Sequence, residues 1–385
     1  MIDPSIETEL RAVLDDVPPV NHAFGYGSGV LPQPRDADGS PSASGRSDNN
    51  AAKGSVVDFV FAVDDPYEWH RANMRLNPSH YAPHLRALGG WAVAGLADGV
   101  GAGVHYNTLI PWTKSSSSLS SSSGFAPEMF KYGVVSVNSM CDDLTNWRHM
   151  FVAGRMQKPV ATLGAPDPRV TAAQATNANA ALAAALLFLP EKFTSRDLAA
   201  KLCGLSYTGD VRVMLGAEAL DKVARIAAGS EVGLMEMYRD ARESVGLGLA
   251  GLTMGRGGEV WHQDIRPGAR SALFATLPRE TLHRTMVIHL PPDLLRVERG
   301  TPIGEVGGVR LPDSDDMRGE SAEMLVKFED AGGRSAVESL RECIAWTVRN
   351  SSARQLVAGA LATSPSKSVR YVASKLFKSA ASRSR

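Results

Sequence analysis

The sequence predicts an α+β protein, on three observations. Residues 56–63 form an unbroken run of β-prone apolar residues with one charge inside it. Shorter apolar segments at 103–110 and 132–137 alternate with helical patterns, and the second half opens on an alanine- and leucine-rich helical run at 172–189. At 385 residues and 44% hydrophobic composition, the chain holds apolar material for two or three domains of the usual ~100–200 residues, which excludes a wholly disordered protein.

Taken in order, a helix-like start at 6–14 leads into the glycine-rich turn Phe24-Gly-Tyr-Gly-Ser-Gly-Val30. Residues 34–54 are dense in Ser, Asp, Gly, Asn and Ala, and residues 114–124 are mostly serine. Neither stretch can bury enough apolar surface to offset its ordering entropy, so both are expected to be disordered inserts. The run at 56–63 reads as a strand buried on both faces, and a carboxylate inside it, Asp58, needs a partner or a metal. Residues 67–88 read as helix broken near Pro78 and Pro83, and a further helix is expected over 140–153. In the second half, 193–204 shows a Thr/Ser cap, helical apolar spacing and a closing glycine, and a second helix follows near 218–225. Short helices joined by tight turns are the pattern of a helix-turn-helix or winged-helix module. The domain division that results is 1–165, 170–250, 251–365 with mixed α/β character, and a terminal segment 366–385.

That terminal segment places Val369, Val372, Ala373, Leu376, Phe377 and Ala380 on one helical face, with cations including Lys367, Arg370, Lys375 and Lys378 and no acid. A basic amphipathic helix of this kind fits peripheral contact with an anionic membrane, or equally a packed helix with a solvated edge. The longest apolar stretch, 180–189, is about half of the roughly 20 residues a membrane span needs, so no spanning helix is expected. Lys plus Arg equal Asp plus Glu at 41 each, so bulk charge names no partner and argues against a strongly basic nucleic-acid-binding protein. Three scattered cysteines, Cys141, Cys203 and Cys343, exclude a disulfide scaffold and fit a reducing compartment. The first 20 residues carry five acids against Arg11, so no cleavable leader is expected.

Chemistry concentrates first at Gly27-Ser28-Gly29 and Asp58. With the insert at 34–54 set aside, Ser28 and Asp58 stand nine positions apart. Nucleotidyltransferases of the polymerase-β type use such a Gly-Ser turn to hold triphosphate oxygens and strand carboxylates to hold Mg²⁺. A plain structural turn uses the same residues. The position two residues after Asp58, where a second carboxylate is usual, is Val60. Asp65 at the strand end is a candidate second metal ligand, as are Asp64, Asp142, Asp143 and Asp264, and the pair at the strand end could instead shape the turn. Lys131, Arg155 and Lys158 are candidate phosphate-binding cations, or solvated surface charges. His70, His80 and His84 lack the carboxylate or cysteine that would complete a zinc site and fit packing or hydrogen bonding better.

The motifs Tyr26-Gly-Ser-Gly-Val30, Val57-Asp-Phe-Val-Phe61, Ser79-His-Tyr81, Gly101-Ala-Gly-Val104 with Tyr106-Asn107, Lys131-Tyr-Gly-Val134, Asp143-Leu144, Ala153-Gly-Arg155 with Gln157-Lys-Pro159, and Leu205-Ser-Tyr207 with Gly209-Asp210 and Arg212 run in order along the chain. Together they resemble the mitochondrial Tam-type phosphatidate cytidylyltransferases, the translocator assembly and maintenance proteins. The resemblance implies a nucleotidyltransferase domain followed by a winged-helix-like domain, with the active site between them. It implies transfer of CMP from CTP to phosphatidic acid with Mg²⁺, giving CDP-diacylglycerol on the route to cardiolipin, at the matrix face of the mitochondrial inner membrane. It maps nucleotide and metal roles onto Gly27, Ser28, Gly29 and Asp58, phosphate contacts onto Lys131, Arg155 and Lys158, and substrate binding onto Arg212. Where relatives tend to carry Lys-Gly after Arg-Gln, this chain has Arg354-Gln355 and then Ala358-Gly359. A non-catalytic assembly factor on the same fold, or a winged-helix nucleic-acid binder, are the competing readings. Oligomeric state is not legible.

Overall fold

A central sheet with a separate hydrophobic core on each face organises the first half of the chain. The computed structural model describes residues 4–27, 29–31, 56–112, 127–216, 222–289, 305–306, 309–310 and 315–363. Strands β1 (His22–Tyr26), β2 (Val56–Val63), β3 (His105–Pro111), β4 (Met129–Ser136) and β5 (Ala161–Leu163) form the sheet in the order β3-β4-β2-β1-β5. β2 pairs parallel to β4, and the other pairings are antiparallel. The expected inserts at 34–54 and 114–124, Ser28 and the segment 366–385 lie outside the described residues.

The period of two along β2 explains the two cores. Val57, Phe59, Phe61 and Val63 join one cluster, and Val60 and Ala62 join the other. The first cluster takes Ile6 and Leu10 from helix α1 (Pro4–Arg11) and Trp69 from helix α2 (Pro66–Leu76). Its rings interlock, with Phe61 stacked on Tyr132 at 5.1 Å and Phe59 edge-on to Phe130 at 6.1 Å. Each such buried side chain contributes about 1.5–3 kcal/mol. The chain breaks near Pro78 and Pro83 as expected, with α2 ending at Leu76 and a short helix resuming at Pro83.

The same face holds a buried polar network. Tyr132 accepts hydrogen bonds from Asn73 Nδ2 at 2.7 Å and Asn107 Nδ2 at 3.0 Å, and His80 Nδ1 lies 2.8 Å from its hydroxyl. His70 Nδ1 lies 2.8 Å from the Tyr81 hydroxyl, and His84 donates from Nε2 to the Leu361 carbonyl at 2.8 Å. Burial pushes His105 down to about 4 and His70 in the same direction. The three histidines of the sequence reading therefore serve hydrogen bonding. Among the described residues no group of three His, Cys, Asp or Glu side chains could hold a metal ion.

The opposite face packs on helix α3 (Val137–Asn146) and on the buried helix α4 (Pro168–Leu187), which also lines the helical half of the molecule. There, helix α5 (Ser195–Gly204) begins with the Thr194 cap, closed by a reciprocal bond from Asp197. Helix α6 (Lys222–Met237) packs beside it. A small sheet joins β6 (Lys192–Thr194), β8 (Val260–His262) and β7 (Thr253–Met254) in that order. This sheet bridges the expected division at 250/251, with Phe193 opposite Trp261. The glycines at 255–258 form the turn between β7 and β8. The region from 267 onward, expected to mix strands and helices, is mostly helical among the described residues. It runs through α7 (Pro267–Thr276), α8 (Arg279–His289), α9 (Asp315–Asp330) and α10 (Ala336–Ala362), with one two-stranded pairing at 305–310.

Helix α10 returns to the sheet. Arg354 donates to the carbonyls of Gly101 at 2.9 Å and Gly99 at 3.0 Å, and Gln355 Nε2 donates to Val104 O at 3.1 Å. Ala358 sits against Gly101, so the Arg-Gln pair and the alanine after it clasp the loop that feeds β3.

Asp143, one candidate metal ligand, is 4% exposed and accepts the backbone N–H groups of His149 at 2.7 Å, Val152 at 2.8 Å and Ala153 at 3.0 Å. It is a structural anchor for the turn that carries Arg155. Asp143→Ala strands buried donors and is expected to destabilise the fold by about 3–5 kcal/mol, read as a lowered midpoint in thermal unfolding.

Candidate active site

Strand register gathers the candidate residues at the start of β2 and β4. Asp58 lies directly across from Tyr26 on β1 and from Lys131 on β4. Lys131 Nζ stands 3.0 Å from Asp58 Oδ1, with both side chains about one quarter exposed at 28% and 25%. Gly27 closes β1 at φ 81, a left-handed conformation that favours glycine, and a Cβ there would stand 3.5 Å from Asp58 Oδ2. At Gly29 a Cβ would lie 2.7 Å from the Val56 carbonyl, so the turn presses directly on the neighbouring strand. The backbone folds back on itself, with Val30 and Leu31 N–H both donating to Gly27 O, at 3.1 and 2.9 Å.

Asp65 does not join this group. Val63 lies five positions along β2 from Asp58, about 16 Å of extended strand, and Asp65 lies beyond that far end. Its carboxylate caps α2, accepting from Tyr67 N at 2.9 Å and Glu68 N at 3.1 Å. The other candidate acids are also engaged elsewhere: Asp64 with Asn21 and Arg169, Asp142 with Asn146 and Arg148, and Asp264 with Arg266.

Tyrosines, which the sequence reading gave no role, link the charges. The Tyr106 ring lies over Gly133, where a Cβ would meet it at 2.8 Å, so only glycine leaves room for the ring in this position. Lys131 Nζ is 5.6 Å from the centre of that ring. The Tyr106 hydroxyl lies 3.3 Å from the Tyr26 hydroxyl, and Arg155 stacks on both Tyr26 at 5.3 Å and Phe151 at 3.8 Å. Arg155 also donates to the Phe151 carbonyl. Burial works against the Arg155 charge, and the Tyr106 and Tyr26 hydroxyls more than offset it, holding the guanidinium above its usual value.

Lys158 continues the row, donating to Ser206 Oγ at 2.8 Å and to the Gly154 carbonyl. Arg212 is held by the buried Asp210, donating from Nε at 3.1 Å and from Nη2 at 2.6 Å. Register and turn geometry thus bring Gly27, Gly29, Asp58, Lys131 and Arg155 to one end of the sheet. Lys158 and Arg212 follow on the side facing the helical half.

A carboxylate beside a glycine turn, followed by cations seated on aromatic rings, is the equipment of an α+β protein that handles phosphate groups. A sequence profile described as "Phosphatidate cytidylyltransferase, mitochondrial" matches residues 10–378. The Xenopus laevis protein of the same description is 31% identical over 372 residues, covering 96% of this chain and 94% of its own. The rat protein is 31% identical over 86% of this chain and 93% of its own, and the human protein 37% identical over 59% of this chain and 45% of its own. The chain belongs to the mitochondrial phosphatidate cytidylyltransferase family.

Burial first, and then the cations Arg155, Lys222 and Arg212, push Lys158 down to about 8 from an ordinary 10.5. Between those values the unfolded chain binds more protons than the native one, so the stability of the ligand-free protein rises with pH through that window. A bound anion needs the ammonium form. Affinity for inorganic phosphate, followed by calorimetry from pH 8 to 9.5, is therefore expected to fall several-fold and to lose that dependence in Lys158→Met.

Proposed function

We propose that the chain transfers CMP from CTP to phosphatidic acid, releasing pyrophosphate and yielding CDP-diacylglycerol. The observation that carries this reading is the Asp58–Lys131 pair beside the Gly27 turn, in a chain that belongs to this family almost end to end. Residues 1–165 act as a polymerase-β-type nucleotidyltransferase domain. The helices that follow, with the β6-β8-β7 sheet, act as a winged-helix-like partner, and the substrates meet between them.

The donor set fits magnesium shared with the substrate. Lys131 holds Asp58 Oδ1, Oδ2 faces the Gly27 turn, and Mg²⁺ commonly takes one or two carboxylates and completes its shell with phosphate oxygens and water. Asp58 would hold the Mg²⁺ ion, which would supply charge neutralisation to the triphosphate. The glycine turn and Ser28 hold the triphosphate, and Lys131 and Arg155 steady it from the sheet side. A phosphatidate oxygen attacks the α-phosphorus in line as the bond to the β-phosphate oxygen breaks, and pyrophosphate leaves against the cations. The attacking oxygen is already anionic, so no general base is needed.

Asp58→Asn should abolish Mg²⁺-dependent formation of labelled CDP-diacylglycerol while leaving thermal unfolding near that of the native protein. Turnover near the native rate would sink the assignment.

The enzyme works at a membrane surface, peripherally on the matrix side of the mitochondrial inner membrane. Among the described residues no helix is long and apolar enough to cross a membrane. The segment 366–385 supplies the contact, each cation near an anionic surface adding about 1 kcal/mol. Its deletion is expected to weaken sedimentation with cardiolipin-containing vesicles far more than turnover on detergent-dispersed lipid. Equal vesicle binding refutes the anchor.

A further inference from the structure

The second half of helix α10 turns an apolar stripe outward. Trp346, Leu356, Val357 and Leu361 are each 50–53% exposed, and their spacing puts them on one side of the helix, with Ala353 and Ala360 between them. Arg349 is exposed on the same side. At the near end the Arg284 guanidinium, itself 3.8 Å from Glu280, stands 4.5 Å from the centre of the Trp346 ring. At the far end His84 Nε2 donates to Leu361 O, and Leu88, one turn on from His84, is also exposed. Single exposed apolar side chains are ordinary, whereas a run of them along one helix face marks a surface that something covers.

The opposite side of the same helix is committed to the protein. Arg354 and Gln355 clasp the 99–104 loop, and Ser352 Oγ accepts from Val211 N at 3.1 Å. Gly209 lies so close to α10 that a Cβ there would stand 2.5 Å from the Ala345 carbonyl. That inner side therefore holds both the loop that feeds the Tyr106 strand and the loop that leads into Arg212.

Charge identifies what covers the outer side. Residues 343–385 hold eight Lys or Arg and no Asp or Glu, so neither the stripe nor the segment that follows it in sequence supplies a carboxylate. A second copy of the chain would set like charges against one another, whereas an anionic bilayer complements them and accepts the apolar side chains. An indole beside a cation suits the boundary between headgroups and acyl chains. Among the described residues no helix is long and apolar enough to cross a membrane, so α10 would lie along the surface.

We propose that the outward stripe of α10, from Trp346 to Leu361 with Leu88 beside it, rests on an anionic lipid bilayer. The inference rests on the membrane location proposed above and adds to segment 366–385 a second contact that belongs to the folded body. It also sets an orientation. Lipid lies on one side of α10 and the loops leading to Tyr106 and Arg212 on the other, about 10 Å apart across a single helix.

Leu356→Ser combined with Val357→Ser leaves net charge and segment 366–385 untouched and alters only exposed side chains, so thermal unfolding should stay near native. Affinity for vesicles of phosphatidylcholine and cardiolipin, read by sedimentation, should fall about tenfold, with turnover on detergent-dispersed lipid within about twofold of native. Vesicles containing brominated phosphatidylcholine should quench the native protein more than Trp346→Phe, the difference reporting that indole in lipid. Unchanged vesicle affinity in the double variant overturns the face, as does quenching that Trp346→Phe leaves unaltered. A rise in affinity overturns it too, since segment 366–385 would then be the occupant of the stripe, freed by the substitutions. So does a native dimer that the double variant dissolves, which would make the stripe a contact between copies. A native chain that binds these vesicles but forms no CDP-diacylglycerol counts against the proposed reaction alone. One that does not bind them overturns the membrane location and this face together.

Discussion

The register of β2 against its two neighbours governs the site. β2 is bonded along both edges and buried on both faces, so its residues have no freedom to trade positions. A slip of one residue would turn Asp58 into the aromatic cluster of Phe59, Phe61 and Tyr132 and bring an apolar side chain to the site, a change no single contact could offset. With Asp58 fixed, Lys131 and Tyr26 are fixed as cross-strand neighbours, and Tyr106 follows from the glycine at 133. The turn carrying Arg155 is separately tied to Asp143.

Ring faces seat several of the cations at this end of the sheet. Lys131 rests over Tyr106, Arg155 on Tyr26 and Phe151, and Lys158 and Lys222 flank Tyr207. A ring face steadies a cation by about 0.5–2 kcal/mol without cancelling its charge, whereas a carboxylate partner would quench the field that phosphate is meant to meet. The exceptions are instructive. Asp58 is paired with Lys131 where a metal would compete for the carboxylate, and Asp210 orients the one arginine that lies outermost.

Much of this was legible in the sequence, for definable reasons. A charge inside an unbroken apolar strand is conspicuous, so Asp58 could be singled out from one run of eight residues. Lys131 and Arg155 stood out once the motif order was seen. Asp65 misled because adjacency to the strand end says nothing about which end of the sheet holds the site. Its true role as a helix cap was readable from the Asp-Pro step that follows it. Tyr26, Tyr106 and Tyr207 were present in the quoted motifs, yet their role depends on rings from distant segments meeting cations, which no local pattern encodes. The pairing of 192–194 with 260–262 was hidden for the same reason: a three-residue strand carries no period long enough to announce its partner.

The clasp of α10 on the 99–104 loop joins residues 253 positions apart, among the longest closures in the molecule. No chain released from synthesis before Gln355 can make it, however well the sheet has already formed. Non-local contacts of this separation also form late, because loop-closure entropy must be met before they give anything back. The loop that feeds the Tyr106 strand is therefore held only once residues 354–358 are in place.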